Sequence, residues 1–418
     1  MRHLKERLAR VGRLVEIERG VSSKYEAAEI CAEVEREGKA VFFHAVDGSH
    51  RVLMNALCGR EVVAELFNVK PQELTPFLAS LLRRFSASCS VEDAVKIVEH
   101  SPTKEVVASD LGALPILTHF KGDGGAYITA GVLVAEHEGI VNASFHRMML
   151  LDSNRLAVRV VPSRHLFRMH RDAIEHGSEL KVGVVIGASP FFLLSAATRV
   201  PLGFEFALAS ALQGKPLEVF KLKNGIAVPH AEFAIEGVLT AEKAREGPFK
   251  DITGHYDKVR EEPVLEVTRI YHRKEPIYHA ILPASIEHKT LMGLPYEPLI
   301  FNAVENVASV KNVVLTEGGC CYLHAVVQIE KAAEGEAKNA ILAAFAAHQS
   351  LKFVVVVDSD INPFDASSVE YAIATRVRWD EDVVFVRNAR GSTLDPSSDD
   401  GILTKFGIDA TAPLKLKR

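Results

Sequence analysis

The sequence predicts a mixed architecture of class α/β plus β: an N-terminal α/β segment, a β-rich middle with inserted helices, and a C-terminal α/β segment. Three observations lead there. Helical and strand periods alternate up to about residue 105, short strands joined by tight turns crowd the middle, and from Leu291 long apolar runs alternate with helices. With 418 residues, the chain exceeds what one core of ordinary size organises, so two or three domains are expected.

The elements follow in order. "SSKYEAAEICAEVEREGKAVFFHAV" reads as a Ser-capped helix stopped near Gly38, then a strand, an Asp47-Gly48 turn and a second strand. Helices are expected at "REVVAELF" and "PQELTPFLASLLRRF". The middle opens with "ITAGVLVAEHEGIVNASFHRMMLLDSNRLAVRVV", whose close strand spacing suggests a barrel or meander, not βαβ units. Helices are expected at "SRHLFRMHRDAIEHG" and "SPFFLLSAAT", and strands at "LEVFKLKNGIAVP" and "VLEVTRIYHRKEPIYHAIL". The last segment places strands in "VKNVVLTEGGCCYLHAVVQIEK" and "KFVVVVDSD", helices in "EAKNAILAAFAAHQ" and "ASSVEYAIATRV", and a frayed tail.

Composition narrows the function. Apolar residues form 48% and charged residues 25%, ordinary for a soluble globular protein, and the net charge of −5 without a long basic run argues against nucleic acid as a partner. The N-terminus lacks the apolar run of a signal peptide, and no stretch is apolar enough to span a bilayer, so a cytoplasmic location without a membrane span is expected. Cys31, Cys58, Cys89, Cys320 and Cys321 form neither a C-x-x-C pair nor an even set. Burial of Cys320 and Cys321 within the strand-like run "CCYLHAVVQI" is expected over redox chemistry.

Chemistry concentrates in a few places. "EGPFKDITGHYD" sets Glu246 and Asp251 around a Gly247-Pro248 bend, so the segment is a shaped loop. In "NASFHR" the strand period puts Asn142, Ser144 and His146 on one face and Phe145 and Arg147 on the other, so a site using both Asn142 and Arg147 must pass a strand edge or bulge. Glu205 opens an apolar helix, where a carboxylate answers the helix dipole or, with Asn142 and His165, ligates a divalent ion such as manganese or magnesium.

The set "NASFHR" at 142–147, "PSRH" at 162–165, "GFE" at 203–205, "EGPFKDITGHY" at 246–256 and "TKFGIDAT" at 404–411 resembles the UbiD-like family of prenylated-flavin-dependent decarboxylases in order and spacing. "LPILTHFKGDGGAYITAG", "DSDINP" and "YAIATR" extend the likeness over nearly the whole chain. The resemblance implies an N-terminal α/β domain (1–105), a central split β-barrel that binds prenylated FMN (106–290) and a C-terminal α/β domain (291–418). It implies that Asn142, His165 and Glu205 hold Mn2+ or Mg2+ against the cofactor phosphate, beside K+. Ser144, Phe145, His146, Arg147 and Arg164 would line the cofactor, with Lys405 as a phosphate contact.

Arg147, Glu246 and Asp251 would form the family's catalytic network, the second acid being one methylene shorter than the Glu of some members. Arg147 is expected to hold a substrate carboxylate bidentately while one acid stays ionised and the other delivers a proton. The resemblance further implies a homo-oligomer, dimer or hexamer, supplied with cofactor by a flavin prenyltransferase and acting on a small carboxylic acid. The short chain is most similar to archaeal-type members, which act on trans-anhydromevalonate 5-phosphate in isoprenoid synthesis. Two alternatives stay open: a hydroxybenzoate-type (polyprenyl-hydroxybenzoate) decarboxylase, and a flavin-binding protein without lyase activity.

Overall fold

The structure, a computed structural model, describes residues 1–88, 93–162 and 164–416. Cys89 and Ser163 lie outside the described residues. The chain packs as two compact units: Met1–Cys58 with Cys89–His288, and Gly59–Ser88 with Lys289–Arg418. The change of unit after His288 lies beside the division expected at 290, whereas residues 1–105 are divided between the two units.

The first unit shows why. Strands Leu14–Val21 and Ala40–Val46 pair in parallel, and His50–Met54 returns antiparallel through a turn where Asp47 and Gly48 take φ of 46° and 94°. The fourth strand of that sheet is Ile277–Ala280, which runs parallel to His50–Met54 with Ile277 opposite Arg51 and Ala280 opposite Met54. The following helix, Ile286–Gly293, carries the fully buried Glu287. Its carboxylate accepts the Ala56 and Leu57 amides at 3.0 Å each and lies 2.9 Å from His279 Nε2. Val41, Phe43 and Met54 share one core with Leu133, Val184, Ile235 and Leu265 of the middle segment.

The middle segment builds a nine-stranded sheet whose spine is a long antiparallel ribbon, Phe233–Glu246 against Arg260–His272. On one side of it lie Arg155–Val158, Met148–Leu150 and Tyr127–Ile128, on the other Leu180–Ile186, Val132–His137 and Ile140–Phe145. The ribbon's last pair is Glu246 opposite Arg260, and beyond it the tip folds into a small hairpin, Phe249–Lys250 against Tyr256–Asp257. Helices His165–Glu175, Pro190–Ala197 and Glu205–Gln213 arise where expected. Helix Glu26–Glu35 is an exception in detail: Tyr25, at φ 71°, is its N-cap without a side-chain cap, and Glu26 accepts the Ser22 amide at 2.8 Å.

The second unit holds a five-stranded sheet in the order Ser309–Leu315, His324–Glu330, Phe353–Asp358, Ile402–Asp409, Val383–Arg390. Its inner pairs are parallel, and Val354 to Val357 are fully buried, as the uninterrupted valine run demands of a sheet covered on both faces. Cys320 and Cys321 are not in a strand. They follow the turn Glu317–Gly319 with φ of 56° and 51°, half-buried, and the strand starts only at His324. Ala410 and Thr411 are buried ahead of a turn at Leu414–Leu416, so the last described residues follow a packed segment. No helix among the described residues is long and apolar enough to cross a membrane.

A fragment ending at residue 105 would lack the strand Ile277–Ala280 and most of the shared core. We expect it to show no cooperative urea transition by circular dichroism, whereas the full chain does. A sharp transition of the fragment would contradict the shared core.

Candidate active site

Arg147 follows the strand Ile140–Phe145, which stops before His146 and resumes at Met148–Leu150. The break is held by the His146 amide donating to the Gly131 carbonyl at 3.2 Å. The anticipated passage past a strand edge takes this form, and it turns Arg147 toward the ribbon tip.

There the guanidinium is enclosed by three carboxylates. Nε and Nη2 donate to Glu246 Oε1 and Oε2 at 2.8 and 3.0 Å, Nη1 donates to Asp251 Oδ2 at 3.0 Å, and Nη2 also donates to Asp257 Oδ2 at 2.9 Å. Phe249 lies under it, 4.7 Å from Cζ to ring centroid. Burial disfavours the cation, yet the charges and hydrogen bonds of Glu246, Asp251 and Asp257 raise its pKa above the ordinary arginine value. The acids are not equivalent. Glu246 is fully buried with both oxygens on Arg147, and Asp257 is also bound by Arg260 Nη1 at 2.5 Å. Burial pushes Asp257 up, but the hydrogen bonds and charges of Arg260 and Arg147 outweigh it and hold the carboxyl below its ordinary value. Asp251 is the most open of the three, its side chain 14% exposed, and shares one N–H of Arg147 and the Ile252 amide.

Four of the five guanidinium N–H groups are thus used within the protein. The expected bidentate grip on a substrate carboxylate is not available in this arrangement; a single Nη1 N–H has no protein partner among the described residues. Tyr127, its ring tilted against Phe249 with centroids 4.6 Å apart, places its buried hydroxyl beside Glu246, and burial and that charge keep it protonated.

The other cluster centres on Glu205, the first residue of its helix and only 4% exposed. Asn142 Nδ2 donates to Glu205 Oε1 at 2.8 Å, and His165 Nδ1 lies 3.7 Å from the same oxygen. Glu205 Oε2 is buried without a hydrogen bond of ordinary geometry among the described residues. Burial pushes this carboxyl up to about 7, against the nearby backbone amides and the Asn142 side chain. Burial and the charges of Arg168, Arg199 and Arg164 lower His165, leaving a neutral imidazole that can ligate.

Ser144 Oγ sits 3.1 Å from Asn142 Oδ1 and 2.9 Å from His146 Nε2, with one proton for the two. Burial lowers His146 to about 4, so the ring is neutral; its Nδ1–H donates to the Arg159 carbonyl at 2.8 Å, and Nε2 faces the serine hydroxyl. Asn142 Oδ1 accepts from the Ser144 hydroxyl and keeps a second lone pair for a ligand. A buried carboxylate oxygen, an amide oxygen and a neutral imidazole fit a divalent cation.

The structure brings Asn142, Ser144, His165 and Glu205 together in one cluster and Arg147, Glu246 and Asp251 in another. His146 backs Ser144 with both ring nitrogens occupied, Phe145 is half-buried opposite Val132, and Arg164 is an exposed N-cap of the helix His165–Glu175. Lys405 belongs to the second unit, where it is 4% exposed, donates to the Gln349 carbonyl at 2.5 Å and is lowered by burial to about 8. Sequence reasoning missed Asp257 and Arg260. The signal was available in the hairpin: Asp257 pairs opposite Phe249, which shares the face of Asp251.

Residues 5–82, 95–286 and 289–410 match, respectively, the N-terminal domain, the Rift-related domain and the C-terminal domain of 3-octaprenyl-4-hydroxybenzoate carboxy-lyase, UbiD. The chain is 54% identical over 412 residues to the anhydromevalonate phosphate decarboxylase of Methanosarcina mazei, covering 98% of this chain and 95% of the relative. Among solved structures it is similar to the UbiD-class enzyme HmfF from Pelotomaculum thermopropionicum in complex with FMN, with TM-score 0.92 and 38% identity over 99% of this chain and 94% of that one. An evolved dimeric form of HmfF in complex with prFMN matches at TM-score 0.89 and 36% identity, over 100% and 96%.

The ribbon tip depends on a close backbone approach. Gly124 donates its amide to the Pro248 carbonyl at 2.7 Å, and a Cβ there would meet the Gly247 carbonyl oxygen at 2.2 Å. Gly124→Ala is expected to push the bend away from Arg147, costing about 1–3 kcal/mol of stability and lowering activity more than flavin content. Parental turnover in this variant would show that the bend tolerates displacement.

Proposed function

The chain belongs to the UbiD family of carboxy-lyases, and within that family we propose that it removes carbon dioxide from trans-anhydromevalonate 5-phosphate, an α,β-unsaturated acid, in isoprenoid synthesis. The observation that carries the reading is the buried Arg147 held among Glu246, Asp251 and Asp257, since flavin binding alone requires no such network. The full-length likeness to an anhydromevalonate phosphate decarboxylase supports this substrate over a hydroxybenzoate.

The cofactor is prenylated FMN, obtained from a flavin prenyltransferase; when bound, it supplies the electron sink for the carbanion-like centre left by loss of carbon dioxide. Asn142, Ser144, Phe145, Arg164 and His165 of the first unit would hold it. Asn142, His165 and Glu205 would bind Mn2+ or Mg2+, with K+ nearby; the orphaned Glu205 oxygen supports this choice. Arg147 orients the substrate carboxylate through its remaining Nη1 N–H. Glu246 keeps the guanidinium charged and fixed in the plane it needs. Asp251, the open acid at that edge, carries the proton that replaces the carboxylate on carbon. The working form is a cytoplasmic homo-oligomer, a dimer or hexamer.

Asp251→Asn keeps volume and removes the transferable proton, so turnover per bound flavin should fall about 10²–10⁴-fold with flavin and metal content unchanged. Turnover near the parent's would remove Asp251 from the mechanism. Glu205→Ala should lower metal and flavin content together, measured by elemental analysis and visible absorbance. Full occupancy of both in that variant would dismiss the shared site.

A further inference from the structure

Asp257 is the acid of this cluster that the decarboxylation chemistry does not need. Its Oδ2 bridges two guanidiniums, Arg147 Nη2 at 2.9 Å and Arg260 Nη1 at 2.5 Å, while Oδ1 accepts the Lys258 amide at 2.9 Å. Arg260 also donates to the Lys258 carbonyl at 3.0 Å, and Asp257 is only 8% exposed. Both residues are fixed by the ribbon: Arg260 closes its last pair with Glu246, and Asp257 sits in the tip hairpin opposite Phe249. The bridge is therefore built into the backbone register.

Its effect on Arg147 follows from counting donors. Glu246 takes one N–H from Nε and one from Nη2, and Asp257 takes the second Nη2 N–H. Were Asp257 absent, that N–H would be free for a ligand; were it neutral, the N–H would be held only by a weaker acceptor, and in both cases the local charge would be less negative by one. A substrate carboxylate would then gain donors and lose a repelling neighbour. A grip tightened on the ground-state carboxylate opposes catalysis, because that group must leave as neutral carbon dioxide and the guanidinium's hold on its charge is lost in the transition state.

We propose that Asp257, anchored by Arg260, is a positioning residue that occupies the second Nη2 N–H of Arg147 and so restricts the substrate carboxylate to a single guanidinium contact. The assignment rests on the decarboxylase reading above for its catalytic consequence, but not for its binding consequence.

The test separates the two. Flavin-loaded parent and Asp257→Asn are titrated with butanoate, a simple carboxylate that cannot react, and turnover of the phosphorylated acid is measured in parallel. Asp257→Asn should bind butanoate about 3- to 10-fold more tightly, the direction expected when a repelling charge goes and the second N–H is held only by a weaker amide acceptor that a carboxylate can displace, while kcat falls about 10- to 100-fold through the misplaced guanidinium. Asp257→Glu, which restores the charge, should return both values toward the parent's. A merely structural role would weaken binding and turnover together. Butanoate affinity that stays the same or weakens in Asp257→Asn overturns the proposal, as does kcat within twofold of the parent's. Should the parent not turn over the phosphorylated acid at all, the substrate reading fails, and the butanoate titration still decides the role of Asp257. Crystals of Asp257→Asn soaked with butanoate should show two guanidinium contacts to the carboxylate; one contact, as in the parent, would refute the inference.

Discussion

A guanidinium withdrawn from water must be surrounded by hydrogen-bond acceptors and countercharge, or the fold that buries it will not form. Arg147 imposes that requirement, and the first unit is organised around meeting it. Glu246 stands where the long ribbon ends, so its position is set by the pairing of Phe233–Glu246 with Arg260–His272. Asp251 and Asp257 are supplied by the hairpin beyond, and Gly124 lets a neighbouring loop clasp the bend that joins them. Arg260 is a second cation at this cluster and ties down Asp257, whereas Asp251 and Glu246 are ion-paired to Arg147.

Much of this was legible in the sequence, for reasons of range. Helices and strands announce themselves through local periods, and the Gly247-Pro248 bend with its flanking acids is local too. Asn142, Ser144 and His146 share a face because a strand alternates, and the structure joins them in one hydrogen-bonded row. What stayed hidden depended on distant partners. Nothing within "IYHA" reveals that it completes a sheet begun at Leu14, and so the division of packing between the two units was illegible. Asp257 needed the cross-strand register of the tip hairpin, and the spent donors of Arg147 needed all three acids in view. The cysteine pair was misjudged because an apolar run looks like a strand, whereas the preceding Gly318-Gly319 allows a turn that carries both cysteines at positive φ.

The strand break at His146 and Arg147 is the point where the two clusters meet in sequence. Upstream, Asn142 and Ser144 face Glu205 and His165; downstream, Arg147 is redirected to the ribbon tip. A continuous strand would have sent Arg147 to the face opposite Asn142, and a longer loop would have let the two clusters drift. His146 settles the geometry between them. Its buried, neutral ring spends one nitrogen on the Arg159 carbonyl and the other on Ser144, pinning the end of the strand on one side and the serine beside Asn142 on the other. Arg159 is itself bound through Nη1 to Glu262 at 2.6 Å, one of the residues on the same ribbon that positions Glu246. The cluster around Glu205 and the acid cluster around Arg147 are thus both tied to the same ribbon, and their relative placement follows from its register more than from the side chains of either cluster, as holding two groups of side chains in a fixed geometry requires.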